Sequence, residues 1–263
     1  MSDILFEVKN LKKHYEISQG LFKAPNIVKA VNNISFNVKK GEILSIVGES
    51  GCGKSTTAKM LMTIEKPTEG AIIFQGQDIT KFTPHELKEY RKKVQIIFQD
   101  PYSSLNPRWK VGKIIAEPLK LNTDLSDQEI EKKVYEIMDK VGLQKDWFHR
   151  YPHQFSGGQR QRIGIARALI LNPEIIICDE PVSALDVSIQ AQVLNLLLDL
   201  QEEFNLTYVF ISHDLSVVEH ISDRIVVMYF GDIVEEKNVE DLFANPEAAY
   251  TKKLLGAIPK IDI

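Results

Sequence analysis

Eight consecutive residues, Gly48-Glu49-Ser50-Gly51-Cys52-Gly53-Lys54-Ser55, match the spacing G-x-x-x-x-G-K-[ST]. Gly48, Gly51 and Gly53 let the backbone bend around an anion. The amides left exposed, together with the N-terminus of a following helix, favour phosphate. At this spacing Lys54 reaches the β- and γ-phosphates, and the Ser55 hydroxyl ligates Mg²⁺. Cys52 could be a thiol activated by the helix N-terminus. Its simpler reading is a small residue at an ordinary loop position.

A second group of chemistry-bearing residues closes the run Glu174-Ile175-Ile176-Ile177-Cys178-Asp179-Glu180. An apolar strand that ends in two carboxylates puts them where α/β folds bind ligands. Asp179 is expected to hold Mg²⁺ through water. Glu180, one residue on, points the other way in extended geometry and is suited to take a proton from attacking water. Phe210-Ile211-Ser212-His213-Asp214 repeats the pattern, and His213 at its tip is expected to contact a γ-phosphate.

These residues need elements to hold them. The strand Glu42–Val47 precedes the glycine loop and a helical pattern over Thr56–Thr63 follows it. Further strands are predicted at Ile4–Val8, Val28–Val38, Ala71–Phe74, Val94–Phe98, Glu174–Cys178, Thr207–Ile211, Arg224–Met228 and Ile233–Glu235. Runs such as Ile175-Ile176-Ile177 suit strands buried on both faces of a parallel sheet. A helix over Ser126–Gly142 opens on a capping box, Ser126 with Glu129, and carries Ile130, Val134, Ile137 and Val141 at helical spacing. Ser156 caps another helix, and Asp186 a third. The mostly helical stretch 100–171 reads as a subdomain inserted into an α/β core formed by 1–99 and 172–236, with 237–263 as a helical tail. Ser18–Asn26 reads as an exposed loop.

Composition narrows the classes. Lys and Arg number 32 against 36 Asp and Glu, a net charge of −4, so there is no global basic field for nucleic acid. The longest apolar run, Ile225 to Phe230, is far shorter than the ~18 residues of a membrane span. The start has no basic segment leading into an apolar one, so no signal peptide is expected. Two cysteines are too few for a disulfide scaffold, and the reading is a protein of a reducing compartment.

With Phe155-Ser156-Gly157-Gly158-Gln159 added, the chain resembles the ATP-binding cassette (ABC) ATPases over nearly its whole length. The resemblance implies a P-loop core with a mostly parallel sheet, an antiparallel β subdomain and the inserted helical subdomain. It implies ATP bound by Tyr15, which would stack on adenine, and by Gly48, Glu49, Ser50, Gly51, Cys52, Gly53, Lys54, Ser55 and Thr56. Gln99 resembles the Q-loop glutamine, a γ-phosphate sensor and Mg²⁺ ligand. Ser156, Gly157, Gly158 and Gln159 resemble the signature, which closes over ATP held by a partner. Asp179-Glu180 look like Walker B with its catalytic carboxylate, Ser183 and Asp186 the D-loop, and His213 the switch histidine.

Longer strings, Ile96 to Arg108 and Cys178 to Leu194, look like the oligopeptide, dipeptide and nickel importers, closest to the second, F-type ATPase subunit. So does the tail Asn245-Pro246-Glu247-Ala248-Ala249-Tyr250-Thr251, with Leu254-Leu255 and Ile258-Pro259. The resemblance implies a paralogous ATPase partner, two integral membrane permeases and an extracytoplasmic solute-binding protein, at the cytoplasmic face of a bacterial or archaeal membrane. Peptide is the expected cargo, with nickel or a metal–metallophore complex as runner-up. Many relatives carry an iron–sulfur cluster on a later cysteine segment. The two cysteines here lie in the Walker motifs, so no cluster is expected. A soluble ABC protein of DNA repair or translation is the rival class, but those carry a coiled-coil insert or two cassettes.

Overall fold

In a computed structural model of the chain, the structure describes residues 4–18 and 26–257. Most of the predicted loop Ser18–Asn26, and Ile258-Pro259, lie outside them. The chain divides into two compact units, Met1–Leu87 with Thr207–Ile263, and Lys88–Leu206.

In the first unit, β1 (Ile4–Ile17) pairs antiparallel with β2 (Asn26–Lys39). Then come β3 (Ile43–Val47), α1 (Lys54–Leu61), β4 (Glu69–Phe74) and β5 (Gln77–Asp78), giving a four-stranded sheet in the order β2-β1-β4-β5. Strand β1 runs well past the predicted Ile4–Val8. Beyond Leu11 it carries four half-buried residues in a row, Lys12 to Tyr15, and its register shifts after Val8 and again around Leu11. That extension puts Tyr15 on a strand.

The second unit begins within α2 (Pro84–Lys93) and continues through β6 (Val94–Ile97), α3 (Val111–Asn122), α4 (Asp127–Lys140), α5 (Gly157–Leu169), β7 (Ile175–Asp179) and α6 (Val187–Phe204). Strands β6 and β7 pair in parallel, Val94 opposite Ile175. The capping box of α4 forms as predicted, and Ile130, Val134 and Ile137 are buried with Met138. Removing such a cap typically costs ~1 kcal/mol. Helix α5 opens on a second capping box: Gln159 N–H donates to Ser156 Oγ and Ser156 N–H to Gln159 Oε1.

The chain returns to the first unit with β8 (Thr207–Ser212), α7 (Leu215–Ile221), β9 (Arg224–Tyr229), β10 (Asp232–Asn238), α8 (Val239–Ala244) and α9 (Ala249–Gly256). Here β3 lies between β8 and β9, parallel to both, and β10 is antiparallel to β9. Every residue of β3 and β8 is buried, which is why these strands read as mostly apolar runs, with Ser45, Thr207 and Ser212 the polar exceptions. Val47, Leu215, Val218, Ile225, Val227 and Leu242 form a core on which Tyr250, Leu254 and Leu255 of α9 pack. The tail is therefore part of the first unit's folded body.

Candidate nucleotide site

The glycine loop links β3 to α1, and its shape is set by backbone contacts that only glycine tolerates. Gly48 has φ +150°, and a Cβ there would stand 2.2 Å from Met228 O. Gly53, the N-cap of α1, has φ +110°, and its Cβ would stand 2.2 Å from Ala30 O. Gly51 has φ +82° but open space around it. Lys54 is 4% exposed, and its ammonium donates to Gly48 O at 2.6 Å and Glu49 O at 3.1 Å, so its head sits inside the loop. Ser55 and Ser50 are exposed beside it and Thr56 is half-buried. Cys52 is buried. Burial pushes its thiol up, against the pull of the Lys54 charge, the opposite direction from that of an activated thiol.

One prediction arises from this packing. Gly53→Ala adds left-handed strain and a collision with backbone that cannot swing aside, so it is expected to destabilise by about 1–3 kcal/mol or more. Gly51→Ala carries the strain alone, about 1–2 kcal/mol. Urea denaturation of both variants checks the order, and equal losses would contradict it.

Tyr15 lies half-buried on β1. Its phenol donates to the Glu65 carboxylate and bonds the Thr56 side chain, and Lys13 Nζ stands 5.0 Å from its ring centroid. Burial first, then Glu65, pushes the phenol above its usual range. The predicted stacking residue thus touches the helix that follows the loop. In the sheet, Val47 of β3 pairs with Ser212 of β8, so Gly48 and His213 leave at the same edge. His213 is exposed there, between a buried strand and α7, whose first amides, Ser216 and Val217 N–H, donate to Asp214 Oδ1.

In the second unit, Asp179 ends β7 half-buried, and Glu180 follows at φ +48°. Extended geometry is therefore not how the two carboxylates are separated. A left-handed step at Glu180 turns the chain instead, a conformation uncommon for a non-glycine residue. Gln99 Nε2 donates to Glu180 Oε2 at 2.8 Å, so the structure brings the glutamine predicted to sense the γ-phosphate and the second carboxylate together. Ser183 Oγ donates to Glu180 O at 3.1 Å.

The segments expected to be the signature and the D-loop also meet. A Cβ on Gly158 would lie 2.4 Å from Ile189 Cγ2, and one on Gly157 3.2 Å from Leu185 Cδ2. The start of α5 is thus bare backbone laid against the segment that begins α6. Ser156 is exposed at this start. Asp186 occupies the N-cap position of α6, but its side chain makes no capping bond, contrary to expectation. The turn before α6 is held by Gln190 instead, whose amide donates to Val182 O at 3.2 Å and Leu185 O at 3.0 Å. Sequence reasoning missed Gln190. Its signal was a long amide side chain one turn into a helix that follows a polar loop.

A family model described as ABC transporter matches residues 31–183. The dipeptide transport ATP-binding protein DppF of Escherichia coli (strain K12) is 54% identical over 98% of this chain and 77% of its own length. The oligopeptide transport ATP-binding protein AppF of Bacillus subtilis (strain 168) is 55% identical over 98% of this chain and 79% of its own. The dimeric ATP-binding cassette MJ0796 in a post-hydrolysis state with ADP and phosphate aligns with TM-score 0.79 at 32% identity, over 89% of this chain and 98% of that one.

Proposed function

Because the chain belongs to the ABC transporter ATP-binding family, we propose that it is the ATP-hydrolysing subunit of a peptide importer, driving uptake through partner membrane subunits. The observation that carries the reading is the contact between Gln99 and Glu180. It ties the carboxylate that would handle the attacking water to a residue suited to sensing the γ-phosphate.

In this mechanism the loop amides and Lys54 hold the phosphates, and Tyr15 stacks on adenine. Glu180 accepts the proton of the attacking water or orients it, and His213 donates to the γ-phosphate. Ser55, Gln99 and Asp179 offer a hydroxyl, an amide oxygen and a carboxylate, a hard oxygen set that suits Mg²⁺. Bound there, Mg²⁺ would supply positive charge to offset that of the phosphates. Phosphoryl transfer of this kind is mainly positioning and charge stabilisation, so dimer geometry controls the rate. Ser156, Gly157, Gly158 and Gln159 close over ATP held by a paralogous ATPase subunit, with Ser183 and Asp186 along the same seam. Among the described residues no helix is long and apolar enough to cross a membrane. Two permease subunits would hold the chain at the cytoplasmic face, and an extracytoplasmic binding protein would deliver the peptide.

The isolated chain is expected to be mostly monomeric and slow. Assembling a site from two chains carries an association cost that ATP alone does not meet. Reconstitution with the paralogous ATPase and the permeases should raise phosphate release per chain by more than about tenfold, at least ~1.4 kcal/mol of barrier. Adding peptide-loaded binding protein should raise it again. Equal rates for the isolated chain and the complex would refute the heterodimer, and stimulation by nickel but not by peptide would refute the cargo.

A further inference from the structure

We propose that Tyr250, on the C-terminal helix α9, is a positioning residue of the phosphate loop that sets ATP affinity through a single peptide plane. The proposal rests on the reading of that loop as the ATP site.

Glu49 N–H donates to the Tyr250 hydroxyl at 2.9 Å. That N–H belongs to the peptide linking Gly48 to Glu49. The other polar end of the same peptide, Gly48 O, accepts from Lys54 Nζ at 2.6 Å. A peptide unit is planar, and no peptide in the described chain is cis. Fixing the N–H therefore fixes the carbonyl, and with it the place where the lysine head rests. Gly48 has φ +150°, outside the range that ordinary side chains adopt freely. A glycine at that joint leaves the plane little restraint of its own; Lys54 holds its carbonyl end from inside the loop, and Tyr250 holds its N–H end from outside. Lys253 Nζ adds a second grip, 3.5 Å from Glu49 Oε1.

The helix that carries Tyr250 is itself anchored. Glu235, 7% exposed on β10, accepts from Glu247 N–H at 2.7 Å and Ala248 N–H at 3.0 Å. It satisfies amides at the start of α9, where Ala248 at the N-cap has no side chain to do so. The Tyr250 ring packs on Tyr229 of β9 with centroids 4.1 Å apart, and β9 pairs directly with β3, the strand that feeds the loop. A hydroxyl 201 residues away in sequence thus closes a path from a buried carboxylate to the phosphate-binding lysine. Anything that shifts α9 would change nucleotide affinity without touching nucleotide.

The test uses the full chain. Mg²⁺–ATP affinity is measured by calorimetry for wild type, Tyr250→Phe and Glu235→Gln, with amide hydrogen exchange read at Glu49 and the thermal midpoint as a control for folding. Tyr250→Phe keeps the ring on Tyr229 and removes only the acceptor. It should weaken ATP by about two- to tenfold, the worth of one hydrogen bond, and speed exchange at Glu49 at an unshifted midpoint. Glu235→Gln should weaken ATP in the same direction through a looser helix. Wild-type affinity in Tyr250→Phe, or a loss with Glu49 exchange unchanged, overturns the positioning role while leaving the ATP site standing. Failure of wild type itself to bind Mg²⁺–ATP overturns the site reading, and this proposal with it.

Discussion

Glu180→Gln is expected to cut ATP hydrolysis by the assembled complex by about 10²- to 10⁴-fold, the usual worth of a general base, while ATP stays bound. The substitution keeps length and shape, and an amide oxygen can still accept from Gln99 Nε2, which now stands 2.8 Å from Glu180 Oε2. What is lost is the charge that would draw a proton from water. The left-handed step at Glu180 is a property of the turn and is set by its neighbours, among them Ser183, whose N–H and hydroxyl both reach Glu180 O. The variant should therefore fold as wild type does and accumulate as an ATP-bound closed dimer. Cross-linking in ATP beside a phosphate-release assay measures both halves of this expectation. Near wild-type hydrolysis would show that Glu180 is not the catalytic carboxylate. Asp179→Asn should behave differently, weakening Mg²⁺-dependent ATP handling rather than trapping a closed state.

Lys54→Ala is expected to weaken Mg²⁺–ATP binding by about ten- to a hundredfold. Hydrogen bonds to charged groups contribute ~1.5–3 kcal/mol each, and ~1.4 kcal/mol is tenfold in affinity. The loss has two sources in this fold. One is the direct contact with phosphate. The other is the internal brace, since the ammonium also ties Gly48 O and Glu49 O together across the loop. Lys54→Arg separates them: it keeps the positive charge, but its planar fork does not match a buried point-charge niche. If affinity depended on charge alone, Lys54→Arg would bind as wild type does; the expected result is a loss close to that of Lys54→Ala. Calorimetry on the three proteins decides it, and equal affinity in wild type and Lys54→Ala would remove Lys54 from the site.

Features that depend on a few adjacent residues were legible in the sequence. The phosphate loop is one, because a loop that wraps an anion with its own amides needs glycines and a lysine at contiguous positions, between a strand and a helix. The capping boxes at Ser126 and Ser156 are another, since both partners sit within one turn. Buried parallel strands showed as apolar runs because both of their faces meet protein. The roles of Tyr15 and Gln99 come from resemblance, since no local pattern assigns them, whereas His213 is already marked by its place at the polar tip of an apolar strand.

Only the tertiary structure decided the rest. Gln99 and Glu180 are 81 residues apart, and Glu49 and Tyr250 are 201 apart. Such pairs meet because strand order and helix docking bring them together, and sequence spacing does not record that order. The same holds for Glu235 as the anchor of α9 and for Gln190, rather than Asp186, as the brace before α6. Backbone strain was hidden for a related reason. The sequence places a glutamate after Asp179, but its φ of +48° is imposed by the turn that follows β7 and by the contacts that hold that turn. A residue's type sets which conformations are cheap; the packing around it settles which one it adopts.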